Sequence, residues 1–379
     1  MRILISGGGT GGHVYPALAA IRALLEPTAT EQPVGIVELL WVGSEGGIEE
    51  ELVGHAGISY VGLPAGGLRG KGPVDSVRNA IRILASVGRA RQILARFAPG
   101  VVFVTGGYAC VAVTLAAWMR RIPVLIYLPD VVPGKAVKFL SHFAERVAVT
   151  SEETRQYFPP SKVVVTGYPV RPELLSVDRA QAHRDLGLDE GERTLLVFGG
   201  SSGARSINRA LLANLDELLP ECQIVHITGK LDAEEVAGAA ESLPAASKAR
   251  YHHYPYLHEM PKALAAADLA IARAGASTIG EFPAVGLPSI LVPYPFSGQH
   301  QAENAKYLSQ NGAACIVWDD QLEEKLAQTA SKLLNDDQAL STMRESAMSM
   351  AQPNAAESIA VELRLLALQN GTSQVGGKS

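Results

Sequence analysis

Four clusters in the 379-residue chain combine residue types that could do chemistry. The first, Gly7-Gly-Gly-Thr-Gly-Gly-His-Val-Tyr-Pro16, follows an apolar run and precedes a helical one. Gly7, Gly9 and Gly12 satisfy the GxGxxG spacing that lets backbone approach a dinucleotide pyrophosphate. The acid expected about 20 positions later, on the ribose, is missing, since Glu45 lies more than 30 residues on. His13 stands where the helix is expected to begin, at about residue 15. It reads either as a packing histidine at a helix terminus or as a side chain that accepts a proton from a substrate.

The second cluster, Gly199-Gly-Ser-Ser-Gly-Ala-Arg205, also joins a strand-like run to a helix. Its backbone N–H groups, with Gly203 and the Ser201 hydroxyl, could hold phosphate oxygens, or its glycines could simply make a tight turn. The third, Arg273-Ala-Gly-Ala-Ser-Thr-Ile-Gly-Glu281, sets Ala276, Ser277 and Thr278 at a helix start suited to a pyrophosphate. Glu281 follows within the first turns, where it could accept from ribose hydroxyls. In the fourth, Gln299, His300, Gln301 and Asn304 group amides and an imidazole after a strand, a set fit for sugar hydroxyls or for a plain surface loop.

Something must bring these loops together. Uninterrupted Val/Ile/Leu runs at residues 2–6, 38–42, 101–105, 124–128, 146–150 and 163–166 alternate with helix-like segments. A second series follows at 194–199, 223–228, 249–254, 269–272, 289–292 and 314–317. Such runs predict parallel sheets covered on both faces, hence two doubly wound α/β domains. We place the first at 1–166 and the second at 172–350, joined through Gly167-Tyr-Pro-Val-Arg-Pro172. A helix at about 353–368 is expected to pack back on the first domain, with a disordered tail at 369–379. Ligands of open α/β sheets bind beyond the carboxyl ends of the strands, so the site is expected in a cleft that the two domains face.

Composition narrows the class. With 47% hydrophobic and 19% charged residues, 37 Gly and 22 Pro, the chain is neither disordered, collagenous nor a coiled coil. Cys110, Cys222 and Cys315 are too scattered for a disulfide framework or a CxxC metal site, which fits a reducing compartment. No export signal is expected, because the apolar start runs straight into the glycine loop. Residues 101–119 contain no charge and are long enough for a membrane span, but Gly106-Gly107 divides them into a strand and a helix. Residues 1–171 hold 17 Lys+Arg against 12 Asp+Glu, and residues 172–379 hold 16 against 26. The basic first half, above all residues 66–100 with seven Lys or Arg and one Asp, suggests an anionic partner.

In their order, GGGTGGHVYPALA (7–19), TGGY (105–108), GYPVR (167–171), GGSSGA (199–204), ARAGASTIGE (272–281) and HQAENA (300–305) resemble the MurG family, glycosyltransferase family 28. The resemblance implies a GT-B fold and transfer, with inversion, of N-acetylglucosamine from UDP-GlcNAc to the polyprenyl-diphosphate muramoyl acceptor lipid I. The product is lipid II, which places the chain in peptidoglycan synthesis, cell-wall biogenesis, cell shape and division. It implies His13 as general base, and Thr10, Gly11, Gly12, Gly106, Gly107 and Tyr108 at the acceptor. On the donor side it implies Arg171, Ser201 and Gly203 at the diphosphate, Leu257 and Met260 beside uracil, and Ala276, Ser277 and Thr278 at the phosphates and sugar. Glu281 would bind ribose, and His300 with Gln301 the hexose.

No cofactor or DxD metal site is required on this reading, with assistance by a divalent ion left open, and no nucleic acid is expected. The implied location is peripheral, on the cytoplasmic face of the membrane, with residues 68–97 and Trp118-Met-Arg-Arg121 against an anionic surface. Where the family reads His-Glu-Gln-Asn, this chain has Tyr127-Leu-Pro-Asp130; the Asn of GNPVR is Tyr168 and the Gln of GGSQGA is Ser202. Asp130 could then pair with His13 as a catalytic dyad, cap a helix, or contact the donor sugar. Rival readings keep the fold but use another lipid or small-molecule acceptor, make the chain a UDP-GlcNAc 2-epimerase, or make it an NAD-dependent dehydrogenase, which the missing ribose acid disfavours.

Overall fold

The computed structural model describes residues 1–26, 36–64, 73–200, 203–297 and 299–376, with side chains throughout except at 73–83 and 371–376. Contacts divide the chain into two units, Met1–Val170 with Gln352–Ser379, and Arg171–Ala351.

The first unit is built on strands β1 (Arg2–Gly7), β2 (Glu38–Ser44), β3 (Ser59–Leu63), β4 (Val101–Gly106), β5 (Val124–Leu128), β6 (Arg146–Val149) and β7 (Val163–Val165). They form one parallel sheet in the order β3-β2-β1-β4-β5-β6-β7. The second unit holds β8 (Thr194–Phe198), β9 (Gln223–Ile227), β10 (Tyr251–Tyr254), β11 (Leu269–Ala272), β12 (Ser289–Leu291) and β13 (Ala314–Ile316) in the order β10-β9-β8-β11-β12-β13. These strands are parallel as well. The strand order reverses between β1 and β4 in one sheet and between β8 and β11 in the other. At each reversal the helices that follow the two strands go to opposite faces of the sheet, and the carboxyl edge there is where ligands of such sheets bind. The four loops concerned are GGGTGGH and TGGY in the first unit, and GGSSGA and ARAGAST in the second.

The strands are apolar because helices cover both their faces. Ile3, Ile5, Phe103 and Leu125 pack on one side with Val14, Ile21 and Leu24 of the helix Gly11–Leu25, while Leu4, Val102 and Ile126 pack on the other with Cys110, Val113 and Ala117. Burial pushes the Cys110 thiol up to about 11, so it behaves as a core residue.

Several expectations need correction. β3 was not anticipated: Ser59-Tyr-Val-Gly-Leu63 is an edge strand, mostly half-buried, and lacks a continuous apolar run. The first helix starts at Gly11 and not at residue 15, so His13 belongs to its first turn. Residues 101–119 do divide, as expected, into β4 and the helix Ala109–Met119, and no described helix is long and apolar enough to cross a membrane. The final helix spans Ala355–Gly376, continuing through most of the segment expected to be a disordered tail. Asn370 Nδ2 ties it to the Gly100 carbonyl at 3.0 Å. Within the basic stretch, Arg69 and Lys71 lie outside the described residues, as do the side chains of Arg78 and Arg82.

Candidate active site

In the first unit, Thr10 is extended backbone (φ −148°) and ends the glycine loop; the His13 N–H returns to its carbonyl at 3.1 Å. The His13 ring is fixed by the loop itself. Nδ1 lies 3.0 Å from the Gly8 carbonyl and 3.5 Å from the Thr10 hydroxyl. A carbonyl can only accept, so Nδ1 carries a proton, and in the neutral ring the lone pair is on Nε2. The TGGY turn supports the ring from behind: Thr105 Oγ1 donates to the His13 carbonyl at 2.8 Å, and Gly8 N–H donates to the Gly106 carbonyl at 3.0 Å. Gly106 (φ +126°) and Gly107 (φ +103°) must be glycine on two counts. A Cβ on Gly106 would come 2.8 Å from the His13 ring, and one on Gly107 would come 2.9 Å from the Gly8 oxygen. Tyr108 is exposed, just ahead of the helix Ala109–Met119.

Among the described residues, the hydrogen bonds of the His13 ring do not include one to Asp130. The ring meets Gly8 and Thr10, and the backbone leaving β5 is pinned elsewhere, by Thr150 Oγ1 on the Pro129 carbonyl (3.0 Å) and Thr154 Oγ1 on the Val131 carbonyl (2.9 Å). The family's histidine position is Tyr127, fully buried, its hydroxyl 3.2 Å from Thr150 Oγ1 and 3.3 Å from the Gly167 carbonyl. Its ring meets Tyr168 edge-on. Burial raises the Tyr127 hydroxyl well above the usual phenol range, as fits a side chain packed among Thr150, Gly167 and Tyr168.

In the second unit, Arg171 Nη2 and Glu281 Oε1 form an ion pair at 3.2 Å. Burial pushes the Glu281 carboxyl up while Arg171 pulls it down. Glu281 lies in the first turn of the helix Thr278–Val285; Thr278 Oγ1 closes that turn on the Gly275 carbonyl at 2.6 Å, with Ala276 and Ser277 just before it. Buried Asn304 fastens the amide-rich helix His300–Gln310 to this loop through the Ala274 carbonyl at 3.1 Å. The Gln301 oxygen accepts from Tyr294 N–H at 2.8 Å, which leaves its NH₂ as the group it can offer a ligand. His300 is the first residue of that helix. Leu257 is half-buried, and Met260 starts the helix Met260–Ala266. Ser201 and Ser202 lie outside the described residues.

A cavity of about 1070 Å³ opens beside the second glycine loop, lined by Gly203, Arg205, Arg273, Tyr294, Phe296 and Gln301 among others. Of the expected donor residues, Gly203 and Gln301 reach it, while Arg171 and Glu281 are not among its walls.

Three features escaped the sequence reading. Arg273 braces neighbouring loops through the Val292 carbonyl, the Ser206 hydroxyl, Asp319 and the Tyr294 ring. His226 is buried between Tyr251 Oη at 2.7 Å and Asn208 Oδ1 at 3.0 Å, and Asn208 donates in turn to Asp232 at 2.8 Å. Glu49 is buried beneath the first glycine loop. The burial and partners that single these out have no periodic signature, so only Arg273, the first residue of the third cluster, offered any signal.

The sequence matches the glycosyltransferase family 28 N-terminal domain over residues 3–149 and the C-terminal domain of the same family over residues 194–360. It is 40% identical to the UDP-N-acetylglucosamine--N-acetylmuramyl-(pentapeptide) pyrophosphoryl-undecaprenol N-acetylglucosamine transferase of Roseiflexus sp. (strain RS-1), with 98% of this chain and 97% of the relative covered. The enzyme of the same name from Bacillus subtilis (strain 168) is 38% identical, over 94% of this chain and 97% of its own. Among solved structures, Acinetobacter baumannii MurG superposes with a TM-score of 0.74 at 27% identity, covering 96% of this chain and 99% of that one. A UDP-GlcNAc 2-epimerase from Neisseria meningitidis reaches 0.69 at 15% identity, over 96% of this chain and 100% of that one, and so shares the fold alone. The two parallel-sheet α/β units are those of the GT-B fold.

Proposed function

The chain belongs to glycosyltransferase family 28, and from this we infer that it transfers N-acetylglucosamine from UDP-GlcNAc to lipid I, forming lipid II. The observation that carries the chemistry is the His13 ring. With Nδ1–H held by Gly8, Nε2 is the basic nitrogen, ready to take the proton of the acceptor hydroxyl as it attacks the anomeric carbon. Attack on the face opposite the leaving UDP inverts that carbon. Positive charge for the departing diphosphate comes from Arg171 and from the amino end of the helix Thr278–Val285, so the step as proposed needs no resident metal. Glu281 takes the ribose hydroxyls, and the Gln301 NH₂ with His300 reads the hexose.

The acceptor is lipid-linked, and we place the enzyme peripherally on the cytoplasmic membrane face. In support, Trp118 packs edge-on against Phe143, which packs against Phe139, and Trp118, Met119 and Phe139 are about half exposed. Lys135, Lys138, Arg120 and Arg121 are exposed as well. Exposed apolar side chains with cations close by in the chain suit an anionic bilayer surface.

The test is incubation with labelled UDP-GlcNAc and lipid I. Label in lipid II, with release of UDP, is the expected result. Conversion of UDP-GlcNAc without acceptor would instead make the chain an epimerase.

A further inference from the structure

Glu49 is only 1% exposed, in the first turn of the helix Ile48–His55. Glycines make room for it: a Cβ on Gly8 or Gly47 would overlap its carboxyl, and one on Gly43 would press on its stem. Oε2 accepts from Gly9 N–H at 3.1 Å and Oε1 from Ser44 N–H at 2.9 Å. Among the described residues no cationic side chain pairs with it. Burying a carboxylate on two backbone donors alone is costly, so what those donors do is informative.

The Gly9 N–H belongs to the same peptide unit as the Gly8 carbonyl that holds His13. That unit is planar and trans, so its N–H and C=O point in opposite directions. On one side the carboxylate takes the N–H; on the other the carbonyl takes Nδ1–H at 3.0 Å. We propose that Glu49 is a positioning residue for His13, acting through the Gly8–Gly9 peptide. The carboxylate fixes which way the plane faces and polarises it, so that the carbonyl becomes a stronger acceptor for Nδ1–H. When Nε2 takes the acceptor proton, a negative charge one peptide away favours the imidazolium that forms. This is the support that sequence assigned to Asp130, supplied from another element and routed through backbone.

The inference rests on His13 as the base, and its test separates the two. Nitrogen-15 NMR of the intact protein without substrate is expected to show His13 as the Nδ1-protonated neutral tautomer. The Nε2-protonated form in the wild-type protein overturns the proposal and needs no variant. Glu49→Gln keeps the volume but turns an NH₂ toward one of the two N–H groups, so the tautomer signature is expected to become mixed; an unchanged signature in folded Glu49→Gln and Glu49→Ala overturns the proposal. In transfer assays Glu49→Gln is expected to lower kcat roughly 10- to 100-fold, the range for partners that orient a functional histidine, with KM for UDP-GlcNAc little changed. In a His13→Ala background the same change is expected to cost nothing further, and a full additional loss there overturns the proposal. Were lipid I not the acceptor, the NMR result would still stand or fall alone.

Discussion

Arg171 and Glu281, 110 residues apart in sequence, meet in an ion pair although each is assigned to a different part of the donor. The pair couples the two roles, because a nucleotide that engages one changes the charge felt by the other. Glu281→Ala is expected to weaken UDP binding by roughly 1–3 kcal/mol, the range for hydrogen bonds to a charged group. Arg171→Ala also weakens it, and the double variant loses less than the sum. Burial raises the Glu281 carboxyl, so it takes up a proton at higher pH than an ordinary glutamate, and the decline of UDP affinity on acidification is expected to begin at correspondingly higher pH. Calorimetry across pH measures this; an affinity indifferent to Glu281→Ala removes the residue from the site.

His13→Ala is expected to lower turnover roughly 10²- to 10⁴-fold, the usual worth of a general base, with UDP affinity intact. Asp130→Asn is expected to cost far less, since the ring is oriented by Gly8. Comparable losses in the two variants would restore a catalytic role to Asp130.

Gly106→Ala tests the support behind the ring. Its Cβ would meet His13 at 2.8 Å in a backbone region (φ +126°) that alanine avoids, so turnover is expected to fall with little change in donor affinity. Single-turnover rates beside UDP titrations read the two effects separately.

The second unit has its own pH dependence. Burial holds His226 down to about 3, whereas an unfolded histidine titrates near 6.5. Below that value the unfolded chain binds a proton that the folded chain refuses, so stability falls as pH drops from about 6.5 toward 3. Denaturant unfolding at several pH values should show it. His226→Leu is expected to flatten the slope by about 1.4 kcal/mol per pH unit, one proton's worth, and an unflattened slope would contradict the assignment.

Vesicle binding is expected to need anionic lipid and to weaken with added salt, because surface charge is screened over about 8 Å at physiological ionic strength. Trp118→Ser combined with Phe139→Ser is expected to reduce it further. Equal binding to neutral vesicles would argue against a role for the cations.

What could be read from sequence followed from periodicity and glycine. Runs such as 101–105 and 124–128 announce buried parallel strands, and a glycine loop after such a run announces a ligand edge. β3 was hidden because an edge strand need not be apolar throughout. Glu49 was hidden because nothing in the run Glu49-Glu50-Glu51 sets the first apart; only its burial does. Tyr127 could be seen as a departure from the family, but its role as a packed residue depends on Thr150 and Gly167, which only the fold brings to it.

The helix Ala355–Gly376 places Ile359, Leu363 and Leu366 in the same cluster as Ile3, Trp41 and Phe103. These side chains leave the ribosome only after the whole of residues 171–351 has been made. The nascent first unit therefore waits with one apolar flank uncovered while the second, contiguous in the chain, can close on its own. The half of the molecule that is translated first thus lacks part of its core until the chain beyond residue 351 has been made.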